Sequence, residues 1–174
     1  VIQPADQDTV TVSEERSGGS SMVVRHPGST LEIEAGESKW GLVFGKSNQK
    51  NLTVRVPRDW LCQSLEIKAA SADIRVDGLT ITSVALNTAS GNCVFTDCTV
   101  EKMQVNTASG DLDYSGVLKK LELKGASADC NLRLSDAPAA IEMNTASGEL
   151  NLFLPDNCGF TLDRSSLRGA FQSD

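Results

Sequence analysis

The sequence predicts an all-β fold, a single-chain β-solenoid with rungs of about 19 residues. Three observations predict it: a motif recurs at nearly constant spacing, apolar and polar residues alternate within each copy, and aromatic residues make up only 5% of the chain. With so few aromatic residues, the core must be built from small and β-branched side chains in short strands. We expect the solenoid to be right-handed.

The repeat is recognised by a serine that follows an alanine in every copy. Successive serines are 19, 19, 18 and 20 residues apart, and a degenerate sixth copy at 160–166 keeps the step of 19. A repeat of this length cannot bury an apolar face by itself, so successive copies must stack, at about 4.8 Å per rung. The serines of the five clear copies are Ser71, Ser90, Ser109, Ser127 and Ser147.

Each copy is predicted to contain two strands with a corner between them. The first stretch alternates with period two, as in Leu121-Glu-Leu-Lys124, which is typical of a half-buried strand. The small Ala-Ser-Gly or Ala-Ser-Ala element permits a sharp corner, and a second alternating stretch follows, such as Asn151-Leu-Phe-Leu154. We expect the corner alanines to face a crowded interior. They are Ala70, Ala89, Ala108, Ala126 and Ala146.

Other aligned positions predict further ladders along the axis. Asn87, Asn106 and Asn144 share one position with Lys68 and Lys124, and stacked asparagine amides can form hydrogen bonds from rung to rung. The lysines place this position near solvent.

The five cysteines are an odd set without CxxC spacing, so they predict neither a disulfide framework nor a zinc site. Cys93 and Cys130 align with Ile74, Leu112 and Leu150, which predicts that both thiols lie in the core. They are two rungs apart, too far to form a disulfide.

The chain is predicted to be one domain, with N-terminal strands and a cap in 1–64 and regular solenoid repeats in 65–174. Trp40 and Trp60 are expected to cover the exposed solenoid edge. Three stretches in the N-terminal part alternate and predict strands: Thr9-Val-Thr-Val12, Leu31-Glu-Ile-Glu34 and Leu52-Thr-Val-Arg-Val56.

The charge of the chain argues against several partners. Its 16 basic and 23 acidic residues give a net charge of −7, which opposes neutralisation of phosphates, so no nucleic-acid partner is expected. No apolar run is long enough to span a membrane. Val1–Val10 lacks the pattern of a signal peptide, and we expect any signal or membrane anchor to lie outside the given sequence.

The motifs of hydrolases, zinc proteases and nucleotide-binding enzymes do not occur, so we expect no catalytic activity, no cofactor and no metal. The lone His26 is expected to be exposed in a turn.

The best candidate for a binding surface is an outward ladder after the corner. Carboxylates on consecutive rungs can share a hard cation such as calcium, or act on a glycoside, but we favour a solvated acidic edge. The ladder comprises Asp73, Asp111, Asp129 and Glu149, with Asn92 in line.

The repeated Asn-Thr-Ala-Ser-Gly-Asp elements, the strand-Pro-Asp breaks and the closing Cys158-Gly-Phe-Thr-Leu162 resemble a family of bacterial β-strand-repeat domains. Members of that family are described as adhesins and are otherwise of unknown function. The resemblance covers about residues 50–170. It implies an extracellular or cell-envelope location and no catalytic residues.

We therefore predict a non-enzymatic surface or envelope module with an unknown protein or glycan ligand. One alternative is a scaffold that forms homo-oligomers through the solenoid ends. The other is a polysaccharide-active enzyme, which needs convergent acids on long loops, and repeats of 18 to 20 residues leave little length for them.

Overall fold

A computed structural model describes residues 1–6, 9–15, 22–25, 27–35, 51–57, 60–156 and 158–159. In these ranges the chain forms thirteen β-strands of one sheet, without any helix, and the predicted all-β solenoid is confirmed. No described segment forms a helix long and apolar enough to cross a membrane. The strands are β1 (Ile2–Ala5), β2 (Thr11–Glu15), β3 (Met22–Arg25), β4 (Thr30–Ala35), β5 (Asn51–Pro57), β6 (Cys62–Ser71), β7 (Ile74–Asp77), β8 (Thr80–Ser90), β9 (Cys93–Ser109), β10 (Leu112–Ser127), β11 (Cys130–Leu134), β12 (Ala140–Ser147) and β13 (Leu150–Phe153).

Each regular rung places one strand in each of two parallel stacks. Stack A contains β4, β6, β8, the second halves of β9 and β10, and β12. Stack B contains β5, β1, β7, the first parts of β9 and β10, β11 and β13. Equivalent residues of successive copies are direct neighbours, as in Leu86, Val105 and Leu123. The gapless alignment of the copies is therefore the register of the sheet.

The core runs along the solenoid axis between the two stacks. Stack A contributes buried positions such as Val84 and Met103, and stack B contributes Phe95. Cys93 and Cys130 are buried on either side of Leu112, which confirms that they are core residues two rungs apart. All five cysteines lie in the described ranges and are free thiols.

The prediction for the alanine ladder is wrong. Ala108 and its four equivalents are exposed, whereas Thr88 and Thr107, one residue earlier in their copies, are only 8% exposed. The reason is that the alternation of the strand continues into the corner, so that Val105 and Thr107 point inward while Asn106 and Ala108 point outward.

The corners are of two kinds, which differ in how they fill the interior. A Cβ on Gly110 would lie 3.2 Å from Oγ1 of Thr107 and 2.4 Å from the carbonyl oxygen of Gly91. In the copy where Gly125 replaces the inward-facing threonine, the position equivalent to Gly110 is occupied by a buried alanine, Ala128. The two positions of a corner thus share one interior volume. The threonine corners pair Thr88 with Gly91, Thr107 with Gly110 and Thr145 with Gly148; the alanine corners pair Ala69 with Ala72 and Gly125 with Ala128.

At the N-terminal end the strand order departs from the chain order. The stretches predicted at 31–34 and 52–56 lie within β4 and β5, whereas β2 begins at Thr11 and includes only the second half of the stretch predicted at 9–12. β2 pairs antiparallel with β5, and β3 pairs antiparallel with β4. β1, which the sequence did not predict, lies between β5 and β7 and is parallel to both.

Of the two tryptophans, Trp60 is partly buried against the core. Trp40, His26 and the sixth copy at 160–166 lie outside the described residues.

Candidate functional site

The predicted acidic surface is a ladder in which each side chain before Glu149 accepts a hydrogen bond from the next rung. The donor is in every case the backbone amide of the equivalent residue one rung later. The distances are 3.0 Å from Asn92 N to Asp73 Oδ1, 3.5 Å from Asp111 N to Asn92 Oδ1, 3.2 Å from Asp129 N to Asp111 Oδ1, and 2.8 Å from Glu149 N to Asp129 Oδ1.

The corner geometry explains why an acceptor side chain is needed there. The amides on either side, of Ala72 and Ile74, donate forward to carbonyl groups of the next rung, at 3.3 and 2.8 Å. The amide of the corner residue itself points back to the preceding rung, where a side-chain oxygen takes the place of a carbonyl group. Asn92 performs this role as the aspartates do, so the geometry requires an acceptor and not a charge.

This arrangement limits what the ladder can do chemically. One oxygen of Asp73, Asp111 and Asp129 is engaged by an amide, so each side chain has one remaining oxygen for a ligand. The described part of the chain contains no group of three or more His, Cys, Asp or Glu side chains that could hold a metal ion. Calcium takes six to eight oxygen ligands, so a cation on this ladder would depend largely on water.

We predict that replacing both Asp111 and Asp129 by asparagine leaves the unfolding midpoint unchanged or slightly raised. The amide oxygen keeps the backbone contact, as at Asn92, and the like charges are removed. Alanine at either position should cost about 0.5–1.5 kcal/mol, because the next amide loses its acceptor.

The measurement is thermal unfolding with and without millimolar calcium. A calcium-induced rise of many degrees in the wild type, absent from the double asparagine variant, would show a metal site and contradict this reading.

Two further polar ladders stand on the outward faces of the stacks. The predicted asparagine ladder on stack A is present between Asn106 Nδ2 and Asn87 Oδ1, at 3.0 Å. Asn144 does not extend it and instead donates to Glu142, because Lys124 stands between Asn106 and Asn144.

A second ladder, on stack B, was not predicted. Asn131 Nδ2 donates to Asp113 Oδ1 at 3.0 Å, and Asn151 Nδ2 donates to Asn131 Oδ1 at 2.9 Å. These three residues are spaced by 18 and 20, as the nearby serines are, so the repeat spacing could have identified them.

A shallow open trough crosses the outward side of stack A next to the corner. Its lining includes exposed alanines, whose side chains are shorter than those of the neighbouring asparagine ladder. The asparagine ladder and Lys124 supply its polar groups. It is lined by Ala69, Asn87, Thr88, Ala89, Asn106, Thr107, Ala108, Lys124, Gly125 and Ala126.

The buried thiols are poor candidates for chemistry. Burial, with a smaller contribution from Asp73, raises the pKa of Cys93 to about 11, and burial with Asp113 raises the pKa of Cys130 to about 12. Burial also raises the pKa of Cys62 to about 11. The thiolate is the reactive form, so these cysteines are not nucleophiles or metal ligands near neutral pH.

These pKa shifts predict that the domain loses stability in alkaline solution. A pKa raised in the folded state means that the unfolded chain releases its proton first, so stability is complete below about pH 9 and falls as pH rises toward about 11. Each pKa unit corresponds to about 1.4 kcal/mol.

Urea unfolding between about pH 8 and pH 10.5 measures the slope. The control is Cys130→Val, an apolar substitution at a position equivalent to Leu112. Its free energy of unfolding should fall less steeply with pH than that of the wild type. Equal slopes would mean that the Cys130 thiol is not shielded from water.

Residues 1–152 match the model of a protein family described as Toastrack DUF4097. The match includes the N-terminal third, where the repeats are hardest to see in the sequence. No curated protein and no solved structure shows significant similarity to the chain.

Proposed function

We propose that this chain, which belongs to the Toastrack DUF4097 family of unknown function, is a non-enzymatic module. It would bind a protein or glycan at the cell surface or in the cell envelope. The trough on stack A is the surface that carries this proposal. The adhesin-like repeats support the extracellular location.

The chemistry of the trough suits a polar, extended ligand. The amides of Asn87 and Asn106 bond to each other, and each amide has a further donor or acceptor that can face outward. Hydroxyl groups of glycans and peptide groups of proteins both donate and accept, which matches such amides. The short alanine side chains let the ligand approach the sheet closely.

The hydrogen bonds and pKa values of the described polar residues support the non-enzymatic part of this proposal. The ladder carboxylates bond to backbone amides, and the described thiols with resolved pKa shifts are held in the protonated form. Both observations support a role without acid, base or nucleophilic catalysis.

A scaffold that assembles end to end is the second candidate function. The observation that favours it is the apolar surface of the last described rung, where Leu150 is 37% exposed although its neighbour Cys130 is 0% exposed. Phe153 in the same strand is also exposed.

The test compares two variants of equal charge. Ala89→Arg with Ala108→Arg fills the trough, and Thr96→Arg with Ser135→Arg adds the same charge elsewhere on the surface. All four positions are exposed, so both proteins should keep the wild-type unfolding midpoint. The probe is an array of bacterial surface polysaccharides and peptidoglycan fragments together with immobilised envelope proteins.

We expect the wild type and the second variant to bind a component of the array and the trough variant to lose that binding. Equal binding by both variants would exclude the trough. Concentration-dependent filaments of a wild type that binds nothing would favour the scaffold, and cleavage of a glycan would favour an enzyme.

A further inference from the structure

β1 occupies a slot whose two walls come from later parts of the chain. It lies between β5 and β7, parallel to both, with Ile2 buried in the core opposite Val54 and Val76. The amide of Val54 donates to the carbonyl oxygen of Val1 at 2.8 Å. A four-residue strand therefore completes stack B at the point where the regular rungs meet the N-terminal strands.

The two sides of this slot are unequal. β1 pairs with β5 over four residues but with β7 only at Ile2 and Val76. Within stack B, β7 pairs with β9 over four residues and β10 pairs with β11 over five. Pro4 explains the difference, because proline has no amide hydrogen to donate to β7. Its ring also lies against Gly78: the Cγ atom of Pro4 is 3.5 Å from the position that a Cβ atom on Gly78 would occupy.

We infer that this slot is a strand-exchange site and that its occupant in trans is β1 of a second copy of the chain. Only one side chain of β1, that of Ile2, is fully buried. The other contacts described, the backbone pairs with β5 and the Pro4 ring against Gly78, are ones that any copy offers identically. A slot without β1 would expose the edges of β5 and β7 and the apolar part of the core that Ile2 fills. This exposure favours binding of another strand in the slot.

Exchange competes with closure by the chain's own β1. Closure in cis has the advantage of a high effective concentration, so exchanged dimers are expected where copies are concentrated, as on a crowded surface. This interaction is independent of the ligand trough on stack A and goes beyond the proposed function.

Disulfide trapping tests the inference, because Gln3 and Arg55 are direct neighbours in the sheet. A copy with Gln3→Cys is mixed with a copy with Arg55→Cys, both carrying Cys158→Ser, and the mixture is oxidised with glutathione disulfide. Neighbouring strands bring the two Cα atoms within the range that a disulfide requires. A mixed covalent dimer in excess of random collision then forms only when β1 of one copy lies beside β5 of the other.

Three controls make each outcome decisive. Arg133→Cys, an exposed arginine on the same stack but far from the slot, replaces Arg55→Cys and measures random collision. Adding Ile2→Asp to the Gln3→Cys copy removes the buried anchor of β1. A single copy with both Gln3→Cys and Arg55→Cys reports whether β1 lies beside β5 at all.

We expect the mixed dimer to form about tenfold above the Arg133→Cys control at high protein concentration, and to fall to that control with Ile2→Asp. The doubly substituted copy should form its internal disulfide. Yields equal to the control, beside an efficient internal disulfide, would overturn the exchange, and failure of the internal disulfide would overturn the slot itself.

Discussion

Replacing Gly91 by alanine should destabilise the domain by about 3 kcal/mol or more. Gly91 has a φ of +113°, and a Cβ at this position would lie 2.2 Å from the carbonyl oxygen of Ala72. That oxygen belongs to the backbone of the preceding rung, so it cannot move aside as a flexible side chain would. Relief would require separating two paired rungs near the middle of the solenoid.

The matched control is Gly28→Ala. Gly28 also has a positive φ, +64°, but a Cβ there would meet no atom within 4 Å. It should cost only about 1–2 kcal/mol, the penalty of a left-handed backbone for an L-residue. Urea unfolding of both variants gives the comparison, and equal losses would mean that the corners are not closely stacked.

Replacing Tyr114 by alanine should cost about 3–5 kcal/mol. Its side chain is 2% exposed and stacks on Phe95 with ring centroids 5.9 Å apart. Its hydroxyl lies 3.0 Å from the carbonyl oxygen of Cys98 and 2.7 Å from that of Val117. Tyr114 therefore fills the core and also serves backbone groups where β10 passes from stack B to stack A.

Tyr114→Phe separates these two roles. It keeps the ring but removes the hydroxyl, and it should cost about 1–3 kcal/mol because the two carbonyl groups lose the one O–H hydrogen that they share. Leu61→Ala, at a position that is 70% exposed, is the control and should change stability by less than about 0.5 kcal/mol. If Tyr114→Phe is as stable as the wild type, the hydroxyl makes no bond in the folded protein.

The repeats allowed the regular part of the fold to be predicted from the sequence. Aligned positions become neighbours in the sheet, so the alignment alone predicted the parallel register and the burial of Cys93 and Cys130. The spacing also predicted the contact between Asn87 and Asn106.

The sequence prediction for the corner is wrong because a small residue at a corner does not by itself indicate a crowded position. Ala108 is small and exposed, and the crowded position belongs to Thr107. The sequence did contain the signal: glycine follows the inward residue by three positions in each copy where that residue is threonine, and alanine does so elsewhere.

Other features could not be predicted because their partners are backbone groups or distant in the chain. The acidic ladder was located correctly, but its donors are backbone amides, which any residue type supplies. β1 was missed because Ile2-Gln-Pro-Ala5 is short, contains proline and pairs with strands far along the chain.

The position of β1 also sets an order of events during synthesis. β1 is translated before the other described strands, but the second wall of its slot is complete only at Asp77, the end of β7. At about 5–20 residues per second, the strand waits roughly 4–15 s for that wall. In the regular part, by contrast, each strand needs only the next copy of the repeat to be synthesised before it can pair with it. On a ribosome, the regular rungs therefore stack one after another as they are made, whereas the slot of β1 has both of its walls only after Asp77 has left the exit tunnel.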